Sequence, residues 1–185
     1  IYDGGIFRDV YLTSTPVIHI QDYKLSTNLS DNYDSASADF DLTIQNNSTV
    51  SVDNMAAQVA LYDNNEKLVT TSDAPINTIA SDEKQTSTVT ITIKQPKLWD
   101  CDNPNLYTAV ISLYDKKTGT HYESVSQNIG FRKLTFTSTK VTSDGKYNNA
   151  TDYYDTVKLN GKRLLIKGVN RHDTDPETGK YVSKK

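Results

Sequence analysis

The chain has 185 residues, 36% hydrophobic and 23% charged, with a formal net charge of -3. This length offers room for one domain with flanking segments and a sizeable core. The slight acidity, with lysines scattered rather than striped, argues against a nucleic-acid-binding face. No apolar run approaches the roughly 20 residues needed to cross a bilayer, so no membrane partner is expected. The single cysteine, Cys101, excludes an internal disulfide and has no adjacent cation to activate it.

The chain opens on an extended segment, residues 1–12, with Ile6, Val10 and Leu12 on one face and Phe7 and Tyr11 interleaved. Its Arg8-Asp9 pair reads as a structural bridge, and Pro16 ends the segment. From Val17 onward the hydrophobic period is two. Val17 to Tyr23 alternates imperfectly, and Ala36, Ala38, Phe40, Leu42 and Ile44 alternate cleanly with polar residues. Asn46-Asn47-Ser48 is turn chemistry, as is Asp63-Asn64-Asn65, and between them Ala57, Val59 and Leu61 share a face. Leu68 to Thr71 is a short candidate strand, Ile76 and Ile79 sit in an irregular segment, and Val89, Ile91 and Ile93 alternate with threonines up to Gln95-Pro96. After Trp99 come Tyr107, Ala109, Ile111 and Leu113 in alternation, a turn over 116–119, and a last strand from His121 to Ile129. Short strands at regular spacing, with no 3.6-residue period, predict an all-β fold: an immunoglobulin-like antiparallel β-sandwich over residues 16–132. His19 and His121, alone in strand patterns, read as surface or edge residues.

Beyond Phe131-Arg132 the chain turns polar, and residues 138–152 read as a surface loop whose neighbourhood carries Tyr147, Tyr153 and Tyr154. Asn160-Gly161, flanked by Val157, Leu159 and the run Leu164–Ile166, is the preferred dipeptide of a two-residue type I′ hairpin. The run Leu164–Val169 is apolar apart from Lys167, the pattern of a strand buried on both faces, and it ends on Asn170, Arg171, His172 and Asp173.

This last stretch, LNGKRLLIKGVNRHD, resembles the entry into the catalytic barrel of glycoside hydrolase family 2, nearest to its β-galactosidase branch. Gly5 to Leu12 resembles the last strand of that family's N-terminal sugar-binding jelly roll. Residues 99–107, WDCDNPNLY, and Gly130-Phe131-Arg132 are similar to segments of its immunoglobulin-like domain. The resemblance implies three parts: the end of a sugar-binding domain over 1–15, the sandwich over 16–132, and over 133–185 a connecting hairpin with the first strand of an incomplete (β/α)8 barrel. The stretch between Arg132 and Asn160 departs from the family pattern by about a dozen extra residues, placed most simply in a surface loop.

The same resemblance implies a fragment of a retaining exo-β-glycosidase, most simply a β-galactosidase, with β-glucuronidase, β-mannosidase or a non-catalytic carbohydrate-binding module as alternatives. Such an enzyme needs two carboxyl groups about one glycosidic bond. The family draws them from later barrel strands, so no catalytic residue is expected among these 185 and the fragment alone is expected to be inactive. Asp173, Asp175 and Glu177 are not assigned that role, and Asp173 is read as neutralising Arg171. His172, at the C-terminal end of the expected first barrel strand, is implied to contact sugar hydroxyls, with Asn170 and Arg171 bracing the pocket. No cofactor or metal is expected in the fragment: His172, Asp173 and Asp175 are ligand types without diagnostic spacing, and Mg2+ in the parent would be held further along the chain. A carbohydrate substrate acts through the intact parent, for which a homo-oligomer is compatible. Compartment is not legible.

Overall fold

A computed structural model of the protein describes residues 9–142, 151–170, 174–177 and 179. The chain divides into two compact units, residues 15–164, and residues 1–14 with 165–185.

The first unit is built of strands. β1 (Ile18–Leu29), β2 (Ser35–Asn46) and β5 (Lys84–Lys94) form a three-stranded antiparallel sheet in the order β1-β2-β5. β3 (Met55–Tyr62), β4 (Leu68–Pro75), β6 (Tyr107–Asp115) and β7 (His121–Ile129) form a four-stranded sheet in the order β4-β3-β6-β7. The period of two in the sequence becomes the core directly: Phe40, Leu42 and Ile44 of β2 share one buried cluster with Val59, Leu61, Val89, Ile91, Ile111 and Leu113. The described strands are all antiparallel, and the expected immunoglobulin-like sandwich is present. One strand departs from the constant-type arrangement, in which the fourth strand joins the sheet of the first two. Here β4 pairs with β3. The reason is local: the Asp63 carboxylate accepts the N–H groups of Asn65 and Lys67 and closes a tight turn that returns β4 alongside β3.

The two sheets close at one corner through side chains. Glu123 Oε2 of β7 accepts the Ile20 N–H of β1 at 2.7 Å, and the Tyr23 hydroxyl donates to Gln127 Oε1 at 2.9 Å. At the far end of β2, the fully buried Asn46 donates from Nδ2 to the carbonyls of Val50, Ile79 and Ala80 and accepts on Oδ1 from the Ser48 N–H and hydroxyl.

Several expectations are corrected. His19 is not a surface residue. It faces Gln45 across the β1–β2 ladder, on the side opposite the core pair Ile20 and Ile44, yet the two are only 8% and 7% exposed. The polar stretch 138–152 is not simply a loop: β8 (Leu134–Thr142) and β9 (Thr151–Leu159) pair from Leu134↔Leu159 to Thr142↔Thr151. Threonine and tyrosine favour strands as strongly as the aliphatic residues sought there. The run Leu164–Val169 forms no strand, and Leu165, Ile166 and Val169 are 69%, 72% and 89% exposed. A strand covered on both faces needs neighbours on both sides, and after β10 (Lys162–Arg163) the described residues place none beside it. Residues 9–16 likewise form no strand, with Val10, Tyr11 and Leu12 exposed.

Candidate functional site

The residues singled out by sequence follow the hairpin of β9 and β10. Asn160 and Gly161 have φ of 49° and 78°, the pair of positive values that a type I′ turn requires. Lys162 pairs with Leu159 across the turn, and the Leu164 N–H donates to the Val157 carbonyl at 2.8 Å. Of the three residues expected to meet substrate, Asn170 lies in the irregular, exposed stretch beyond Leu164, and Arg171 and His172 lie outside the described residues, as does Asp173. The structure therefore brings none of them together. Asp175 works in a turn: it exchanges backbone hydrogen bonds with Gly179 at 2.8 and 2.9 Å, and its Oδ1 accepts the Glu177 N–H at 2.8 Å. Glu177 is exposed.

The hairpin is seated on the sandwich by a junction that sequence reading did not find. Asn160 Oδ1 accepts the Lys133 N–H at 2.9 Å, Asn160 Nδ2 donates to the Trp99 carbonyl at 3.0 Å, and the Asn160 N–H donates to the Lys133 carbonyl at 2.9 Å. The Trp99 N–H in turn donates to the Phe131 carbonyl at 2.9 Å. Phe131 is fully buried and meets the Tyr107 ring edge-on at 5.5 Å, and the Tyr107 hydroxyl accepts the Lys97 N–H at 2.8 Å. The turn between β1 and β2 approaches from the other side: Lys133 Nζ bonds Asp31 Oδ1 at 2.9 Å, and a Cβ built on Gly161 would stand 3.0 Å from the Tyr33 hydroxyl. The Lys133 hydrogen bond, and then its charge, hold the Asp31 carboxyl below the usual range and the Lys133 ammonium above it.

Beside this junction the Arg132 guanidinium lies 4.7 Å over the Trp99 ring. Together with Leu106 and Gly130 they line a shallow cavity of about 240 Å³. Gly130 is required by packing, because a Cβ there would come within 3.0 Å of Trp99. Among the described residues no group of three or more His, Cys, Asp or Glu side chains is placed to hold a metal ion, so these residues by themselves do not fit Mg2+. Within the sandwich unit, Phe136 at 75% is the exposed aromatic side chain among those described. One ring does not make a stacking platform. No helix among the described residues is long and apolar enough to cross a membrane.

This architecture and its hairpin match known proteins along most of the chain. The model of glycosyl hydrolases family 2 matches residues 18–132, and that of the family's TIM barrel domain matches residues 153–185. The chain belongs to glycosyl hydrolases family 2. Within the family it is 34% identical over 177 residues to a β-galactosidase of Priestia megaterium, an alignment covering 96% of this chain and 15% of that protein. It is 35% identical over 184 residues to a β-galactosidase of Vibrio vulnificus, covering 97% and 16%. The chain thus spans about one-sixth of the length of these curated relatives. Among solved structures, a Bacteroides uniformis β-glucuronidase superposes with a TM-score of 0.78 at 22% identity, covering 97% of this chain and 20% of that one. A Parabacteroides merdae β-glucuronidase superposes at 0.66 with 23% identity, covering 91% and 18%. At those identities the superpositions speak for the family fold alone.

Proposed function

We propose that this chain is the non-catalytic middle of a retaining exo-β-galactosidase that removes terminal β-D-galactosyl residues. In this reading residues 1–15 end a sugar-binding domain, residues 16–132 are the scaffold sandwich, and residues 133–185 are the hairpin and first strand of the catalytic barrel. The carrying observation is that family models match on both sides of the hairpin while β-galactosidases align along 96–97% of the chain. The acid/base and the nucleophile are two glutamates supplied from outside these residues, working through a glycosyl-enzyme intermediate. His172 contacts sugar hydroxyls where the barrel strand ends, braced by Asn170 and Arg171. Any Mg2+ is held by other parts of the enzyme.

The test is hydrolysis of nitrophenyl β-galactoside, β-glucuronide and β-mannoside by the longer protein that contains this chain, with the 185-residue chain assayed beside it. Turnover of the galactoside by the longer protein alone is expected. Preference for another glycoside moves the glycone assignment, and turnover by the short chain removes the scaffold role. In the longer protein His172→Ala is expected to lower kcat/KM roughly ten- to hundredfold, the equivalent of about 1.5–3 kcal/mol for one strong hydrogen bond at the transition state.

A further inference from the structure

A type I′ turn needs positive φ at its first central residue, and Asn, Asp and Gly all supply it. Turn chemistry alone therefore leaves these three interchangeable at position 160. The structure separates them. The Asn160 side chain accepts from the Lys133 N–H and donates to the Trp99 carbonyl at the same time, at 2.9 and 3.0 Å. A carboxylate has no donor for Trp99, and glycine has neither atom. Both partners are backbone groups, so the two bonds tie peptide to peptide and do not depend on a flexible side chain at the far end.

We propose that Asn160 is a positioning residue. Its amide locks the β9–β10 turn to the start of β8 and to the Trp99 loop, and so defines the point from which the chain leaves the sandwich unit toward Asn170, Arg171 and His172. The proposal rests on the glycosidase reading given above. Tyr33 against Gly161 and Lys133 against Asp31 flank the same turn, but only Asn160 links it to both backbone segments.

The experiment compares Asn160→Gly, Asn160→Asp and a control, Ile79→Val, in the longer protein, each assayed well below its own Tm. Ile79 is buried at the opposite end of β2, bridged to Val52. Asn160→Gly keeps the turn conformation and is expected to lower kcat about tenfold with a smaller change in KM, the equivalent of losing about 1.4 kcal/mol of correct placement. Asn160→Asp retains the Lys133 bond, and a kcat loss of about threefold or more is expected from the missing Trp99 bond alone. Ile79→Val lowers Tm and leaves kcat intact. Unchanged kcat in both Asn160 variants overturns the proposal while leaving the glycosidase reading in place, as does an equal kcat loss in Ile79→Val at matched Tm. Should Asn160→Gly fail to fold, Asn160→Asp alone decides. If the unmutated longer protein hydrolyses no β-glycoside, the functional reading fails and the positioning role falls with it.

Discussion

Asn46 shows how a single polar residue can hold an end of a sandwich together. Its amide serves three carbonyls and two groups of Ser48 in a site closed to solvent. Replacing it with alanine strands those carbonyls away from water, and a loss of about 2 kcal/mol or more is expected in urea denaturation. Gly161→Ala places a Cβ against Tyr33 at positive φ, and a loss of about 1–2 kcal/mol is expected by the same measurement. Acid sensitivity also originates in single residues. Asp63 and Asp115 are held below the usual carboxylate range chiefly by the N–H groups of Lys67 and Thr118, Asp100 by that of Asn103, and Asp31 by Lys133. A carboxyl with a lowered folded pKa contributes stability above its unfolded value, near pH 4, and loses it as pH falls through the folded value. Tm is therefore expected to drop below about pH 4, and Asp63→Asn, which keeps an acceptor but does not titrate, is expected to flatten that drop. The raised Lys133 acts in the opposite direction: its contribution is complete below about pH 10 and fades as pH rises through its folded value.

At the scale of elements, legibility followed locality. β2 could be read outright, because Ala36, Phe40 and Ile44 alternate with Ser37, Asp39 and Asp41 and the burial repeats that alternation. The Asn160-Gly161 turn was equally plain. What lay hidden was the partnership of Asn160 with Lys133 and Trp99, 27 and 61 residues away, since a dipeptide signals its own dihedral angles and not the distant groups it meets. His19 was misread for a related reason: period two assigns a face but not what covers that face. β8 and β9 were missed because their strand formers are threonines and tyrosines in a polar context. The run Leu164–Val169 announces a demand for burial, and the partners that would meet it are not written in the run itself. His172 and Arg171 remain candidates of sequence alone. The corner where β1 meets β7 gives an element-scale prediction. Glu123→Ala leaves the Ile20 N–H without its 2.7 Å acceptor, and faster amide exchange is expected at Ile20 while Phe40 and Ile111 in the core stay protected.

For the molecule as a whole, stability rests in the sandwich interior. Phe40 is fully buried in the cluster shared by the two sheets, and Phe40→Ala is expected to cost about 3–5 kcal/mol, read as a lower urea midpoint. The family match places that rigid body next to barrel sequence within the same chain.

The position of Trp99 has an optical consequence. It is the chain's single tryptophan, beside 12 tyrosines. Its indole sits at the junction of the sandwich with the hairpin, under the Arg132 guanidinium. Emission excited at the red edge of the spectrum therefore reports on that junction, whereas circular dichroism averages over every strand. Followed together through a denaturant ramp, the two signals coincide if hairpin and sandwich melt as one cooperative body, and the indole signal moves first if the hairpin lets go on its own.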